Sequence, residues 1–167
     1  MAPDLPALIA QEKNLGFPVK WAKDGDCLVF LAPLEIDGIT IQGLQLRGKT
    51  KAFYANRNIT IQLQYQGILG KAEPIARICW KPFHTHNNKG KGPHGLRFVE
   101  QKGSHHHSFG DNWNTTTNQM FKPNLPIAVP LSPEPQGFFE LLALVRKEFR
   151  IMDADAIEIP QWSEKLA

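Results

Sequence analysis

Outside positions 84 to 107 this 167-residue chain contains no histidine, and from Glu73 to Glu100 it contains no acidic residue between the two. It is almost as poor in cysteine. Cys27 and Cys79 are the only two, with no C-x-x-C spacing and no cysteine-rich framework. That excludes a disulfide scaffold and points to a reducing compartment. Both cysteines lie in apolar runs, CLVFLAPL and ARICW, where a thiol acts as a small hydrophobe, although a Cys27–Cys79 disulfide is left open. No apolar stretch is long enough to span a bilayer. The start, MAPDLPALIAQEK, lacks the basic-then-apolar pattern of a secretory leader, so a cytoplasmic location and no membrane partner are expected. There is no G-x-S-x-G elbow, and NKGKGPHG lacks the G-K-[ST] ending of a phosphate-binding loop. These absences argue against a serine hydrolase and against nucleotide hydrolysis.

What is present suits a globular fold. Hydrophobic residues make up 42% of the chain, with 10 Phe and 4 Trp, and the length fits one domain over 1–167. The net charge of +3 is unevenly spread. Gly38 to Gly110 holds eleven Lys/Arg against two acids, a local charge of +9, which leaves −6 elsewhere. A basic block of this kind suggests a surface facing a polyanion, although the wet face of a sheet also exposes lysines.

The pattern predicts an α+β fold, an antiparallel meander packed by a C-terminal helix, with a short N-terminal helix. Residues 4–15 carry a helical stripe of Leu5, Leu8 and Ile9, with Asp4 placed to cap it and Gly16 to stop it. FPVKWAK, CLVFLAPL, ITIQGLQLRG, KAFYANR, ITIQLQYQ and PIARICW read as strands. Asp37-Gly38 is a hairpin signal, and the change of parity at Gly43 suggests a bulge. Residues 83–95 read as a loop, 96–99 and 105–109 as short strands, and the AIEIP of the tail as a further one. Phe138, Leu141, Leu142, Val145 and Phe149 recur at helical spacing and define a helix over 137–150.

The histidines are His84, His86, His94, His105, His106 and His107. On a strand, His105 and His107 share one face and His106 takes the other. His84 and His86 form a second H-x-H, and if the two strands pair, four imidazoles meet. One chemistry is then a site for a divalent transition metal on His84, His86, His105 and His107, a cupin-like presentation. Another needs no cofactor. RNA carries its own nucleophile, so imidazoles that take and give a proton, with a cation for the developing charge, make a ribonuclease. In that reading His86, His105 and His107 move protons and Asp111 orients an imidazole. Arg77, Lys89 and Lys91 hold phosphate, Asn88 supports, and Trp113 stacks a base. A third reading is non-enzymatic, an inhibitor that binds nucleic acid or a nucleoprotein through the basic block. The bland alternative is a solvated loop, which fits His94 best.

Arg77, His86-Asn87-Asn88, His105-His106-His107 with Phe109, and Asp111-Asn112-Trp113 together resemble a small uncharacterised domain family of bacteria and phages with H-x-N, H-x-H and D-x-W motifs. The apolar stretch that follows and the helix FFELLALVRKEF resemble it too, so the likeness covers about half the chain. The family often has an acid where Cys79 stands here. The pattern is also reminiscent of toxins of toxin–antitoxin pairs, which implies an RNA target and a neutralising antitoxin as partner.

Overall fold

The computed structural model describes residues 3–163. The chain forms a mixed α+β fold. After α1 (Leu5–Ala10) come β1 (Ala22–Asp24), β2 (Cys27–Ile36), β3 (Ile39–Lys51), β4 (Ile59–Gln66) and β5 (Ala72–Trp80). Then follow β6 (His105–His107), α2 (Phe109–Asn112), β7 (Trp113–Asn114), β8 (Gln119–Met120), β9 (Val129–Pro130) and α3 (Phe138–Phe149). Single 3-10 turns occupy His94–Leu96 and Ala154–Ala156. Seven strands make one antiparallel sheet in the order β1-β2-β3-β4-β5-β6-β9, and β7 and β8 pair separately. No helix among the described residues is long and apolar enough to cross a membrane.

The sheet has two unlike faces because the side-chain period of a strand is two. Paired residues across β2, β3, β4 and β5 put Phe30, Ala32, Leu46, Ile61, Leu63, Ala76 and Ile78 on one face. All are buried there in one core cluster with Leu141, Leu142, Val145 and Phe149 of α3. CLVFLAPL is therefore not buried throughout. Its burial alternates, and Leu31 is 56% exposed on the opposite face.

Several local signals hold. Asp4 Oδ1 accepts from the Ala7 amide and caps α1. Asp37 and Gly38 both have positive φ, as the tight hairpin between β2 and β3 requires. Gly43 lies in the stretch where the β2–β3 register shifts, and a Cβ there would come within 2.2 Å of the Gln66 carbonyl oxygen. α3 covers Phe138–Phe149, within the span its spacing predicts.

Others are corrected. The N-terminal helix stops at Ala10, because Lys13 and Asn14 are taken up in bridges to Ile151 and Glu35. Of FPVKWAK only the end enters β1, while Val19 bridges Ile157 in parallel. That bridge is all that AIEIP adds to the pairing. KAFYANR is mostly a turn, in which Asn56 adopts a left-handed φ of 57° as the chain reverses into β4. Residues 96–99 form no strand, and Phe98 and Val99 are exposed. The part of the tail after Ser163 lies outside the described residues. Cys27 and Cys79 are both free, and with two strands between β2 and β5 they stand about 14 Å apart, too far to bridge.

Lys13 ties the ends of the chain together. Its side chain is fully buried, and Nζ donates to the carbonyls of Ile9 (3.1 Å), Gln11 (2.7 Å) and Phe149 (3.1 Å). It thereby satisfies carbonyls at the C-terminal ends of both α1 and α3. Replacing Lys13 with Met leaves three inward-facing oxygens without this donor. Urea unfolding is expected to show a loss of about 1–3 kcal/mol, and an unchanged midpoint would contradict this role.

Candidate functional site

Strand register decides which side chains meet. β6 pairs with β5, matching Arg77 with His107, Ile78 with His106 and Cys79 with His105. Arg77, Cys79, His105 and His107 therefore share the face opposite the core. His106 points to the other side, where its Nδ1 lies 3.8 Å from the Glu148 carboxylate on α3. The predicted split of the triple histidine is the one observed.

The second H-x-H does not form a strand beside β6. His86 lies in a loop held by a bridge to Gln101, with hydrogen bonds of 2.9 and 2.8 Å between their backbones. That loop nevertheless brings its imidazole to the site. The ring of His86 lies 5.4 Å from that of His105 and 4.8 Å from that of His107, and the latter two are 5.1 Å apart. His84 is exposed at the rim of the same cleft, and His94 lies in an exposed 3-10 turn.

Each of the three rings is anchored by a carbonyl, which fixes its tautomer. His105 Nδ1–H donates to the Gly103 carbonyl (2.9 Å), and His107 Nδ1–H to that of Leu125 (2.7 Å). The Nε2 lone pairs of both are thus directed away from these anchors. His86 Nε2–H donates to the Pro126 carbonyl (3.1 Å) and to Asn88 Oδ1 (3.0 Å). One donor atom from each of Cys79, His105 and His107 lies within 4.8 Å of the other two. All three residues are buried. Burial pushes the His107 imidazole down to about 3, helped by the charge of Arg77, and holds His105 below its usual value. Burial also pushes the Cys79 thiol up.

The strap from Asn124 to Ala128 supplies two of those carbonyls and is itself clamped by two asparagines. Asn88 Nδ2 donates to the Ala128 carbonyl (3.0 Å) while its Oδ1 accepts from the Ala128 amide (2.9 Å). Asn112 does the same one residue earlier, donating to the Ile127 carbonyl (2.8 Å) and accepting from the Ile127 amide (2.9 Å). Asn88 is 1% exposed and Asn112 fully buried. Asn88 is therefore a buried support at the floor of the cleft. Asn112, the middle residue of D-x-W, went unremarked in the sequence. Its only sequence signal is its place between Asp111 and Trp113 in the D-x-W motif.

Asp111 and Trp113 lie elsewhere. Ser108 caps α2, accepting from the Asp111 amide (3.1 Å) and donating to its Oδ2 (2.8 Å). This helical turn ends the β6 alternation and turns Asp111 toward His106, whose imidazole feels its charge. Asp111 does not orient His86, His105 or His107. Trp113 stacks on Phe109, with ring centroids 5.0 Å apart, and packs against the core, which removes it as a free stacking platform.

The triad opens into a cleft of about 470 Å³ lined by Arg77, His84, His86, Lys89, Lys91 and Asn124 among others. Arg77 donates from Nε to Gln62 (2.9 Å) and from its terminal nitrogen to Asn124 (2.6 Å), and no ion pair among the described residues engages it. Lys89 is exposed, while Lys91 Nζ reaches the Lys122 carbonyl at 3.3 Å. No carboxylate lines this cleft.

Comparison with family models, with curated proteins and with solved structures finds no match. The likeness to the small prokaryotic family therefore rests on its motifs alone.

The neutral imidazoles make stability depend on pH. His107 stands at about 3 when folded, against an ordinary 6.5, and His105 is shifted the same way. Between those limits the unfolded chain binds protons that the folded chain refuses, so stability falls as pH drops from 6.5 toward 3. With chelator present, the urea midpoint is expected to fall from pH 7 to pH 5. His107→Gln should make that fall shallower, and equal slopes would count against the assignment.

Proposed function

We propose that the chain is a metalloprotein whose Cys79, His105 and His107 hold one zinc-class divalent ion. The observation that carries this reading is the convergence of three buried donor atoms within 4.8 Å, with both imidazoles anchored at Nδ1 by backbone carbonyls. Metal-ligating histidines are commonly oriented in this way, with the second nitrogen donating to a carbonyl. Ligand atoms around tetrahedral zinc stand about 3.3–3.8 Å apart, so side-chain shifts of about an ångström close the set. Cys79 would bind such an ion as the thiolate, and Arg77, its neighbour on the same face of β5, would stabilise that negative charge. His86, third in the ring cluster, stands ready as a further ligand or as a proton carrier next to it.

Three protein ligands leave a fourth position for water or substrate, and such an ion supplies Lewis acidity there. Arg77 presents its charge at the mouth, held in place by Gln62 and Asn124. The basic lining selects an anionic substrate. A metal-free ribonuclease would draw on the same histidines, but it does not account for the buried thiol among them.

Elemental analysis of protein purified without a histidine tag is expected to give about one zinc per chain. Cobalt substitution should produce a thiolate-to-metal charge-transfer band that Cys79→Ser abolishes. Cys79→Ser and His107→Gln should each lower zinc affinity by on the order of a hundredfold, with circular dichroism confirming that the variants fold. Failure to bind zinc even after supplementation would sink the metal centre. RNA cleavage that resists chelators in metal-free protein would return the site to imidazole acid–base chemistry.

A further inference from the structure

The metal reading leaves several cations on the polar face of the sheet without a role. Register places Arg47, Gln62, Arg77 and His107 in one row across β3, β4, β5 and β6. Lys49, Thr60, Cys79 and His105 form the adjacent row. All eight side chains project from the same face, and the rows run from two cations on β3 to the histidines on β6. Arg47, Lys49 and Arg77 line a second cleft of about 230 Å³, which shares Arg77, Cys79, His84 and Asn124 with the larger one. The two are therefore continuous.

None of these three cations makes an ion pair among the described residues, although Lys51 and Lys122 nearby do, with Asp26 and Glu73. Like charges gathered without a carboxylate repel one another and favour an anionic partner. The charge is also extended. Arg47 and Lys49 lie on one side of the triad, and Lys89 and Lys91 on the loop that forms its other wall. A single phosphate needs one cluster, whereas a track calls for a chain of phosphates. Tyr54 and Phe83, each 52% exposed, form an edge-to-face pair 5.0 Å apart, and Phe83 immediately precedes His84 of the cleft. A positive groove flanked by exposed aromatic rings is how proteins hold single strands.

We propose that this face is a track for single-stranded nucleic acid, with backbone phosphates on Arg47, Lys49 and Arg77 and a base against the Tyr54–Phe83 pair. The strand then leads one phosphodiester toward Cys79, His105 and His107. Only that last placement rests on the metal reading. The track itself stands without it.

The test is fluorescence anisotropy of a labelled single-stranded DNA dodecamer on the full chain, with chelator present so that metal plays no part. Replacing both Arg47 and Lys49 with Gln should weaken binding at least about tenfold and lower the slope of log K against log salt by about 1.4, for two phosphates released at ~0.7 each. Tyr54→Ala should weaken it by about fivefold or more. Lys20→Gln with Lys23→Gln, outside the track, should leave it unchanged. Circular dichroism checks that each variant folds. The proposal is overturned if the Arg47/Lys49 variant binds like wild type, if the Lys20/Lys23 variant loses as much, or if a duplex binds more tightly than the single strand. Inorganic phosphate displacing the strand at micromolar concentration would also overturn it, in favour of a small phosphorylated ligand. Zinc content enters none of these outcomes, so the track and the metal centre can fail separately.

Discussion

Two buried asparagines hold the site in place. A strap of irregular backbone passes over a polar sheet face, where no neighbouring strand pairs with Ile127 and Ala128 as a ladder would. Asn88 and Asn112 supply the missing peptide groups, each offering one donor and one acceptor to a single residue of the strap. Buried backbone groups must find partners, and here they find them in one side chain from a loop and one from the end of α2. Because the strap is fixed, the Leu125 and Pro126 carbonyls are fixed, and with them the tautomers of His107 and His86. Asn124, at the start of the same strap, also holds Arg77. Three side chains that face the cleft, His86, His107 and Arg77, thus depend on two buried asparagines.

The sheet makes the complementary contribution. Its core face is filled by apolar side chains under α3, which frees the other face to carry charge and imidazole. β5 serves both faces in alternation, sending Ile78 inward between Arg77 and Cys79. β6 copies that alternation in three residues. A rigid strand on each side sets the spacing of the thiol and the two imidazoles more firmly than loops would.

Much of this was legible in the sequence. The period of α3, the Asp37-Gly38 turn and the face-sharing of His105 and His107 follow from local chemistry and appear as expected. The parts that were not legible depend on distant contacts. ARICW reads as an apolar strand in which Cys79 is inert, and only its pairing with His105 places the thiol beside the imidazoles. FHTHNN reads as a loop and is one, but nothing local says which of its histidines joins β6; only the bridge to Gln101 brings His86 into the ring cluster and leaves His84 at the rim. D-x-W suggests a carboxylate and a stacking ring, yet the capped turn of α2 sends Asp111 to the far side and Trp113 onto the core. The basic block was visible as a count, while the rows of Arg47, Lys49 and Arg77 needed the register.

The His86–Gln101 bridge separates two kinds of sequence freedom. At its neck, Asn88 and the strap residues Leu125, Ile127 and Ala128 are buried and constrained by packing. Beyond Asn88 the backbone makes an excursion, cinched by a hydrogen bond from the Gly90 amide to the Arg97 carbonyl, and returns to Gln101. Past Gly92, which packs against Ile127 of the strap, its length and charge can vary at little cost, because loop closure costs little per added residue and the neck is already tied. The excursion can thus change in sequence while the three imidazoles behind the neck keep their places.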